Sequence, residues 1–416
     1  MERTIFHIDM NSCYANIECL HRPEIRNKPV AVGGDVEARH GIILAKNQNA
    51  KKYNIKTGEA LWQARQKCPN LVVVPPRFEL YLRFSRLARA IYNDYSNQVE
   101  SFGLDEAWVD VTGTPKLRGG GETLANEIRE RVKFELGITV SIGVSYNKIF
   151  AKLGSDYKKP DAVTAFTREN YRDKIWPLPA SDLLYVGPAT AKKLGGYGIH
   201  TIGQVAQTPP EALRSWFGKW GLVLSCFANG HDTSPVANTG DESIIKSVGN
   251  STTTPRDLTC DEDASIVFWM LAESVAERMR EGGFLCRTVQ ISLRNNELHS
   301  FERQVKLPTP TCLASELHAA AMRLLRANCN WSKPLRSIGI RGVDLIPAST
   351  PLQLSMFEDA EKRVRREHLE RTMDDIRRRF GHYAIGRAAT TADITLTNIN
   401  PKDDHTIHPV GYFKAM

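Results

Sequence analysis

The period of the apolar positions changes along the chain, and each change marks an element. Thr4 to Asp9 carries Ile5, Phe6 and Ile8 in a short run that predicts a strand ending in a carboxylate. Met10-Asn11-Ser12 turns that strand into a helical pattern reaching Leu20. From Arg22 to Pro76 the chain is small and basic, with Lys46, Lys51, Lys52, Lys56, Arg65 and Lys67, and it closes at Val74-Pro75-Pro76. This predicts a compact insert between two parts of one sheet. A helix is expected from Glu79 to Asn97, and Glu100 to Val111 contains a second strand with Asp105 and Glu106 side by side. Thr123 to Leu136 sets Leu124, Ile128, Val132 and Leu136 on one helical face, and Ile138 to Val144 reads as an apolar strand. The first region is therefore α/β with acids at strand edges.

After Leu178-Pro179-Ala180 the texture shifts to short helices and glycine turns. Val186-Gly187-Pro188-Ala189-Thr190-Ala191-Lys192-Lys193-Leu194 followed by Gly198-Ile199 resembles a helix-hairpin-helix. Gly187 and Ala189 would let backbone N–H groups approach a phosphate, with Lys192 adding charge, although Gly-Pro turns also cap ordinary helices. Asn229 to Glu242 has the composition of a linker and predicts a domain boundary. Beyond it the pattern reads strand (Lys246 to Gly249), helix (Ala264 to Glu281), strands (Arg287 to Leu293 and Phe301 to Leu307), helix (Cys312 to Ala327) and strand (Ser337 to Leu345). That order is a split β-α-β-β-α-β unit, an antiparallel sheet with helices on one face. Lys246, Arg287, Arg294, Arg303, Lys306, Arg336 and Arg341 lie in or beside its strands, so the open face is expected to be basic; a solvated sheet with scattered arginines fits the same pattern. Last comes a charged helix near Arg365 to Phe380, with Leu369, Met373, Ile376 and Phe380 at 4-3-4 spacing as its apolar stripe. Thr390 to Met416 is polar and carries no assignment.

Composition narrows the class. The 416 residues predict about three domains. With 42% hydrophobic and 25% charged residues the chain is of ordinary globular type, and no run approaches the ~18 apolar residues of a membrane span. The start, with acidic Glu2 and Asp9 and no basic n-region, does not read as a signal peptide, so a cytoplasmic protein is expected. Eight dispersed cysteines with no CxxC pair predict reduced, packed thiols and no zinc site. The formal net charge of +8 favours an anionic partner such as nucleic acid, and it also serves solubility.

Asp9 at one strand end and Asp105-Glu106 at the end or turn of another could converge in one sheet, since neighbouring strands lie about 4.8 Å apart. Three acids so placed repel unless cations sit between them, and Mg²⁺, which takes one or two carboxylates plus substrate phosphates, suits such a place. Surface turns would carry the same acids.

Several motifs together, in order over residues 1 to 350, resemble the Y-family translesion DNA polymerases of the bacterial DNA polymerase IV type. His7-Ile8-Asp9-Met10-Asn11-Ser12-Cys13-Tyr14 is similar to the first metal motif, and Gly103-Leu104-Asp105-Glu106-Ala107-Trp108-Val109-Asp110 to the second. The resemblance implies that Asp9, the Met10 carbonyl, Asp105 and Glu106 bind two Mg²⁺ ions and form the catalytic set. It implies further that Asn11, Ser12, Cys13 and Tyr14 meet the nucleotide, with Tyr14 as a steric gate under the sugar. Gly143-Val144-Ser145-Tyr146-Asn147-Lys148, followed by Lys152, Asp156, Lys159 and Pro160, is similar to the segment whose final lysine reaches the triphosphate, which would be Lys159. Leu44 would roof the nascent pair. Gln48 and Lys51 stand where the family usually has a tyrosine and an arginine, and Gly103 where it usually has a serine.

The implied fold is an α+β multidomain right hand with a mixed-sheet palm (1–20 and 77–166), small fingers (21–76), a helical thumb carrying the hairpin (167–235), a split βαβ little finger (243–347) and a tail (348–416). In that tail Gln353-Leu354-Ser355-Met356-Phe357 looks like the short motif that docks on the bacterial sliding clamp. The implied activity is low-fidelity, template-directed addition of dNTPs to a primer 3′-hydroxyl without proofreading, by a monomer that meets primer–template DNA, dNTPs and the clamp. The competing expectation is a catalytically silent adaptor that binds DNA and the clamp; a metal-dependent nuclease would leave Tyr14 and Lys159 without a purpose.

Overall fold

β1 (Ile5–Met10) is buried along its whole length, as the apolar run requires. It leads into α1 (Cys13–His21). The insert that follows contains β2 (Val30–Gly33), β3 (Ile43–Lys46), α2 (Gln48–Lys51), α3 (Leu61–Lys67) and β4 (Val72–Val74). Then come α4 (Phe78–Asn93), β5 (Val99–Phe102), β6 (Glu106–Asp110), α5 (Gly121–Leu136), β7 (Val140–Ser145), α6 (Lys148–Tyr157) and β8 (Val163–Ala165). The structure is a computed structural model that describes residues 2–34, 39, 41–114, 119–241, 245–351 and 360–402. The described residues divide into two units, 2–34 with 42–241 and, in the second, 39 and 41 with 245–351 and 360–402.

In the first unit a five-stranded sheet runs in the order β5-β6-β1-β7-β8, so β1 lies at the centre, antiparallel to both neighbours. The insert forms its own three-stranded sheet, β3-β2-β4. The two faces of β1 do different work. Phe6, Ile8 and Met10 join a core with Tyr81, Ala88 and Ile91 of α4 and Leu124, Ile128 and Val132 of α5. Ile5, with Trp108 of β6, packs against Ala151 of α6 on the other side. Two expectations need correction. Glu100 to Val111 is a hairpin of two strands with Asp105 in its turn, and α4 stops at Asn93 because the next amides tighten into i→i−3 bonds, Asp94 to Ile91 and Tyr95 to Tyr92.

α7 (Tyr171–Lys174), α8 (Pro188–Gly196), α9 (Ile202–Gln207), α10 (Pro210–Phe217) and α11 (Lys219–Ala228) share a core that includes Leu194, Ile202, Leu213 and Leu224. The segment after Asn229 has a linker's composition but does not run free. Val236 is buried, Ala237 N–H donates to Glu100 Oε2, and Thr239 N–H donates to Asn97 O.

The second unit contains β9 (Ser247–Leu258), α12 (Asp261–Glu281), β10 (Phe284–Asn295), β11 (Ser300–Thr311), α13 (Ala314–Asn328) and β12 (Leu335–Pro347), with the antiparallel sheet order β11-β10-β12-β9. This is the expected β-α-β-β-α-β order, with strands longer than the apolar runs suggested because their open faces are polar. α14 (Ala360–Phe380) and α15 (Ile394–Thr397) complete the unit. α14 does not pack by its apolar stripe: Met373 is buried, yet Leu369 is 57% and Phe380 75% exposed. Its covered face is instead made of charged residues, Glu370, Asp374 and Arg377, which meet Arg280 and Glu273 of α12. Within the polar stretch after Thr390, Ile394–Thr397 forms α15, whose Leu396 enters a core with Leu271, Val275, Ile291, Leu325 and Ile338. Among the described residues no helix is long and apolar enough to cross a membrane.

Candidate functional site

Antiparallel pairing sets Asp9 directly opposite Glu106 and His7 opposite Trp108. Directly paired residues share a face, so Asp9, Glu106 and His7 all lie on the α6 side of the sheet. α6 comes unusually close here, because Gly143 of β7 and Gly154 of α6 stand back to back. A Cβ at Gly143 would fall 1.8 Å from Ala151 O, and one at Gly154 would fall 2.8 Å from Gly143 Cα. That close approach carries the polar residues of α6 to the acids. Lys152 Nζ lies 2.6 Å from Glu106 Oε2, Ser155 Oγ 2.8 Å from His7 Nδ1, and Lys159 Nζ, just past the helix, 2.6 Å from Asp9 Oδ2. Asp156 lies 2.7 Å from Lys159 and 3.8 Å from Lys152.

The electrostatics follow from burial. Burial pushes the Asp9 carboxyl up to about 7 although Lys159 pulls the other way, and Glu106 and Asp105 add to the rise. Asp105 is raised by burial and by the Glu106 charge. Burial would also raise Glu106, but His7, 3.1 Å from its carboxylate, and Lys152 bring it down to about 2. Among the described residues no three acidic, imidazole or thiol groups already enclose a point where a metal could sit. The donor chemistry nevertheless fits a hard cation: all oxygen, carboxylate-rich, and including two acids whose charged form burial disfavours. Two ammonium groups stand at salt-bridge distance from these carboxylates, so positive charge is already welcome there.

The residues expected at the nucleotide divide into two groups. The Asn11 side chain is engaged within the fold: it is buried, its amide Nδ2 donates to Ser141 Oγ, and its Oδ1 accepts from Thr139 and from the Asp161 N–H. It therefore ties the end of β1 to the turn that carries Lys159. Cys13 is buried against Met10. Ser12 adopts a left-handed conformation before α1, and the first-turn amides of that helix have no intrahelical acceptors. Tyr14 is half-buried, stacked on Tyr81 at 4.2 Å and set edge-on to Phe78. Tyr81 in turn donates to the buried Glu18, which Arg77 also holds. Leu44 packs partly buried within the insert, while Gln48 opens α2 and Lys51 ends it. The Lys51 ammonium is lowered by burial and by Lys46 and Lys159, and raised by Asp9, which places it within electrostatic reach of the acidic site.

Gly187 caps α8, and Ala189 and Lys192 are exposed beside Lys193, Gly196 and Tyr197 around a shallow hollow. In the second unit Lys246, Arg287, Arg294, Lys306 and Arg341 are exposed, and Arg336 is partly so. Arg303 departs from the expectation. It pairs with the core residue Ile291, so it lies on the helix side of the edge strand, where its Nε donates to Asn328 of α13. The open face is instead carried by Arg294, Lys306 and Arg341, and Arg341 lies flat across Gly249. Gln353, Leu354, Ser355, Met356 and Phe357 lie outside the described residues.

Three participants were not assigned roles from sequence: His7, Lys152 and Arg89, whose guanidinium donates to the carbonyls of Gly103, Leu104 and Glu106. The first two stand inside the quoted motifs. Arg89 is an arginine on the apolar stripe of α4, between Ser85 and Tyr92, and that placement is the signal that could have singled it out.

The model of the impB/mucB/samB family matches residues 8–156, and the model of that family's C-terminal domain matches residues 245–356. DNA polymerase IV of Acetivibrio thermocellus is 52% identical over 96% of this chain and 100% of its own length. DNA polymerase IV of Moorella thermoacetica is 39% identical over 93% and 96%, and DNA polymerase IV 1 of Bacillus subtilis 37% over 93% of each. Among solved structures, a Y-family DNA polymerase chimera shares the fold with a TM-score of 0.74 and 22% identity, over 83% of this chain and 99% of its own. The expected α+β multidomain architecture is thereby borne out, and the chain belongs to the impB/mucB/samB family, the Y-family DNA polymerases, with the bacterial DNA polymerases IV as its relatives.

Proposed function

We propose that this chain extends a DNA primer on a template, across lesions as well as on intact DNA, at the carboxylate site of β1 and β6. The observation that carries the reading is the facing pair Asp9 and Glu106, with Asp105 adjacent and Lys159 within 2.6 Å of Asp9. Asp9, Asp105, Glu106 and the Met10 carbonyl would hold two Mg²⁺ ions, which when bound promote ionisation of the primer 3′-hydroxyl and neutralise charge on the departing pyrophosphate. The chain's own residues do the positioning. Lys159 offers its ammonium to the triphosphate, Asn11 fixes the turn bearing it, and the first-turn amides of α1 face anionic oxygens. Tyr14, braced by Tyr81 and Phe78, walls the sugar and leaves no room for a 2′-hydroxyl. Leu44, Gln48 and Lys51 border the base pair and phosphates, where lysine supplies charge without the planar fork of arginine.

Residues 1–20 with 77–166 act as palm, 21–76 as fingers, 167–235 as thumb and 243–347 as little finger. DNA phosphates would lie along Gly187, Ala189 and Lys192 and along the open face bearing Arg294, Lys306 and Arg341, with Lys246, Arg287 and Arg336 at its margin. Arg303 contributes long-range charge only. Gln353 to Phe357 would seat in an apolar groove of the sliding clamp. Synthesis is of low fidelity and without proofreading, by a cytoplasmic monomer.

The test is extension of a labelled primer with four dNTPs and Mg²⁺, on undamaged and lesion-bearing templates, by the intact chain and by Asp105→Ala/Glu106→Ala. Extension by the intact chain alone, past the lesion, is expected. Extension by neither, with primer–template still bound in a gel shift, would replace this reading with the silent adaptor.

A further inference from the structure

Arg89 is 8% exposed, and its guanidinium spreads over the turn that carries Asp105 and Glu106. Nη2 donates to Gly103 O at 2.8 Å and to Glu106 O at 3.3 Å, and Nη1 donates to Leu104 O at 3.3 Å. The fork itself is fixed from behind: Nε donates to Ser101 Oγ at 2.8 Å, and Nη1 donates to Ser85 O at 3.1 Å and to Ser85 Oγ. Ser85 Oγ also donates to Leu104 O. The remaining carbonyl of the turn, Asp105 O, accepts the Met10 N–H at 2.9 Å. Every carbonyl from Gly103 to Glu106 is therefore held, three by one side chain and one by the end of β1.

This arrangement has a cost that packing alone does not explain. A buried guanidinium is expensive to desolvate, and an apolar residue on the same stripe of α4 would fill the space without that cost. Gly103 adopts φ +85°, a conformation that turns its carbonyl into the fork and that side-chain-bearing residues rarely take. With its carbonyl oxygens drawn into the fork the backbone of the turn is fixed, while the Glu106 side chain reaches Lys152 and His7. The Glu106 charge acts unfavourably on Asp105, so a turn that carries the two side by side gains from a fixed backbone.

We propose that Arg89 is a positioning residue for the cation site: its planar fork fixes the Gly103–Glu106 turn so that Asp105 and Glu106 are set for divalent-metal binding. The inference rests on the carboxylate site being a metal site. Partners that orient metal ligands typically contribute 10- to 100-fold in affinity. Lysine, with a point charge in place of a fork, cannot reach the three carbonyls together.

The experiment titrates Mn²⁺ alone into the full chain, reading free Mn²⁺ by electron paramagnetic resonance, for the intact protein, Asp105→Asn, Arg89→Met and Arg89→Lys. Single-nucleotide insertion then separates kcat from KM. Intact protein is expected to bind saturably, Asp105→Asn weakly, and Arg89→Met about 10- to 100-fold more weakly than intact, with kcat falling and primer–template affinity retained. Arg89→Lys keeps the buried charge and so guards against loss of fold; it is expected to melt near the intact protein yet bind Mn²⁺ at least 10-fold more weakly. Intact affinity and kcat in Arg89→Lys would overturn the fork, and in both variants would overturn the proposal. Mn²⁺ binding that is equally weak in the intact chain and in Asp105→Asn would overturn the metal reading beneath it.

Discussion

Replacing Arg280 by methionine should detach α14 from the body of the second unit. Arg280 is bidentate to Asp374, with Nε to Oδ2 at 2.6 Å and Nη2 to Oδ1 at 2.9 Å, and its Nη1 reaches Glu370 Oε2 at 2.7 Å and Cys312 O at 2.8 Å. The three side chains are only 5%, 9% and 4% exposed. Glu370 also holds Arg387, which bonds Glu273, which holds Arg377, so the charges form a chain linking α12, α14 and the segment after it. Methionine fills most of the volume but leaves Asp374 and Glu370 buried with less compensating charge. Breaking a buried pair from one side costs about 3–5 kcal/mol. At 1.4 kcal/mol per tenfold, the opening constant of α14 should rise by roughly 10² to 4 × 10³. Native-state hydrogen exchange reads this directly, on amides 367–377 against those of α5 as an internal reference. Adding Asp374→Leu should recover part of the loss, because an apolar pair needs no compensation. Protection of α14 unchanged within about twofold would refute the argument that charge, not the Leu369–Phe380 stripe, holds this helix.

Three further outcomes are expected. His318, stacked on Trp269 at 4.0 Å and lowered to about 4, mainly by burial, binds fewer protons folded than unfolded, so stability is lost as pH falls from about 6.5 toward 4; unfolding midpoints should fall across that window in the intact chain and not in His318→Phe, and equal slopes would remove the assignment. Gly143→Ala forces a methyl to within 1.8 Å of Ala151 O, so α6 must leave the sheet and take Lys152 and Lys159 with it; at least the ~1–3 kcal/mol of an overpacked core and most insertion activity should be lost, and intact melting with intact rate would show that the contact yields elsewhere. Tyr14→Ala should raise ribonucleotide relative to deoxyribonucleotide insertion by about 10- to 200-fold, the range set by a single group in a pocket, and an unchanged ratio would remove the gate.

Where local chemistry decides, the sequence was readable. The carboxyl end of an apolar run located Asp9, and i, i+4 spacing located Leu124, Ile128 and Val132. The motif around Asp105 and Glu106 named the opposing strand, which pairing then set against Asp9. What stayed hidden depends on partners distant in sequence. Arg303 belongs to the helix side because of its register with Ile291, which no charge pattern reveals. Asn11 has a donor–acceptor side chain that suits a ligand equally well, and only the fold delivers Ser141, Thr139 and Asp161 to it. α14 misled because a 4-3-4 apolar stripe normally marks the covered face, whereas here matching charges on α12 made the charged face the better one to cover.

The central claim is that the Asp9–Asp105–Glu106 site performs metal-dependent nucleotidyl transfer. Its most direct test is the single-turnover rate of one dNTP added to a primer–template, followed against Mg²⁺ concentration for the intact chain, Asp105→Asn and Glu106→Gln. The account predicts a saturable rise with Mg²⁺ in the intact chain and a rate at least about 10³-fold lower in either variant, with primer–template affinity retained. A rate that stays within tenfold of the intact chain in both variants, or that does not respond to Mg²⁺, would contradict it.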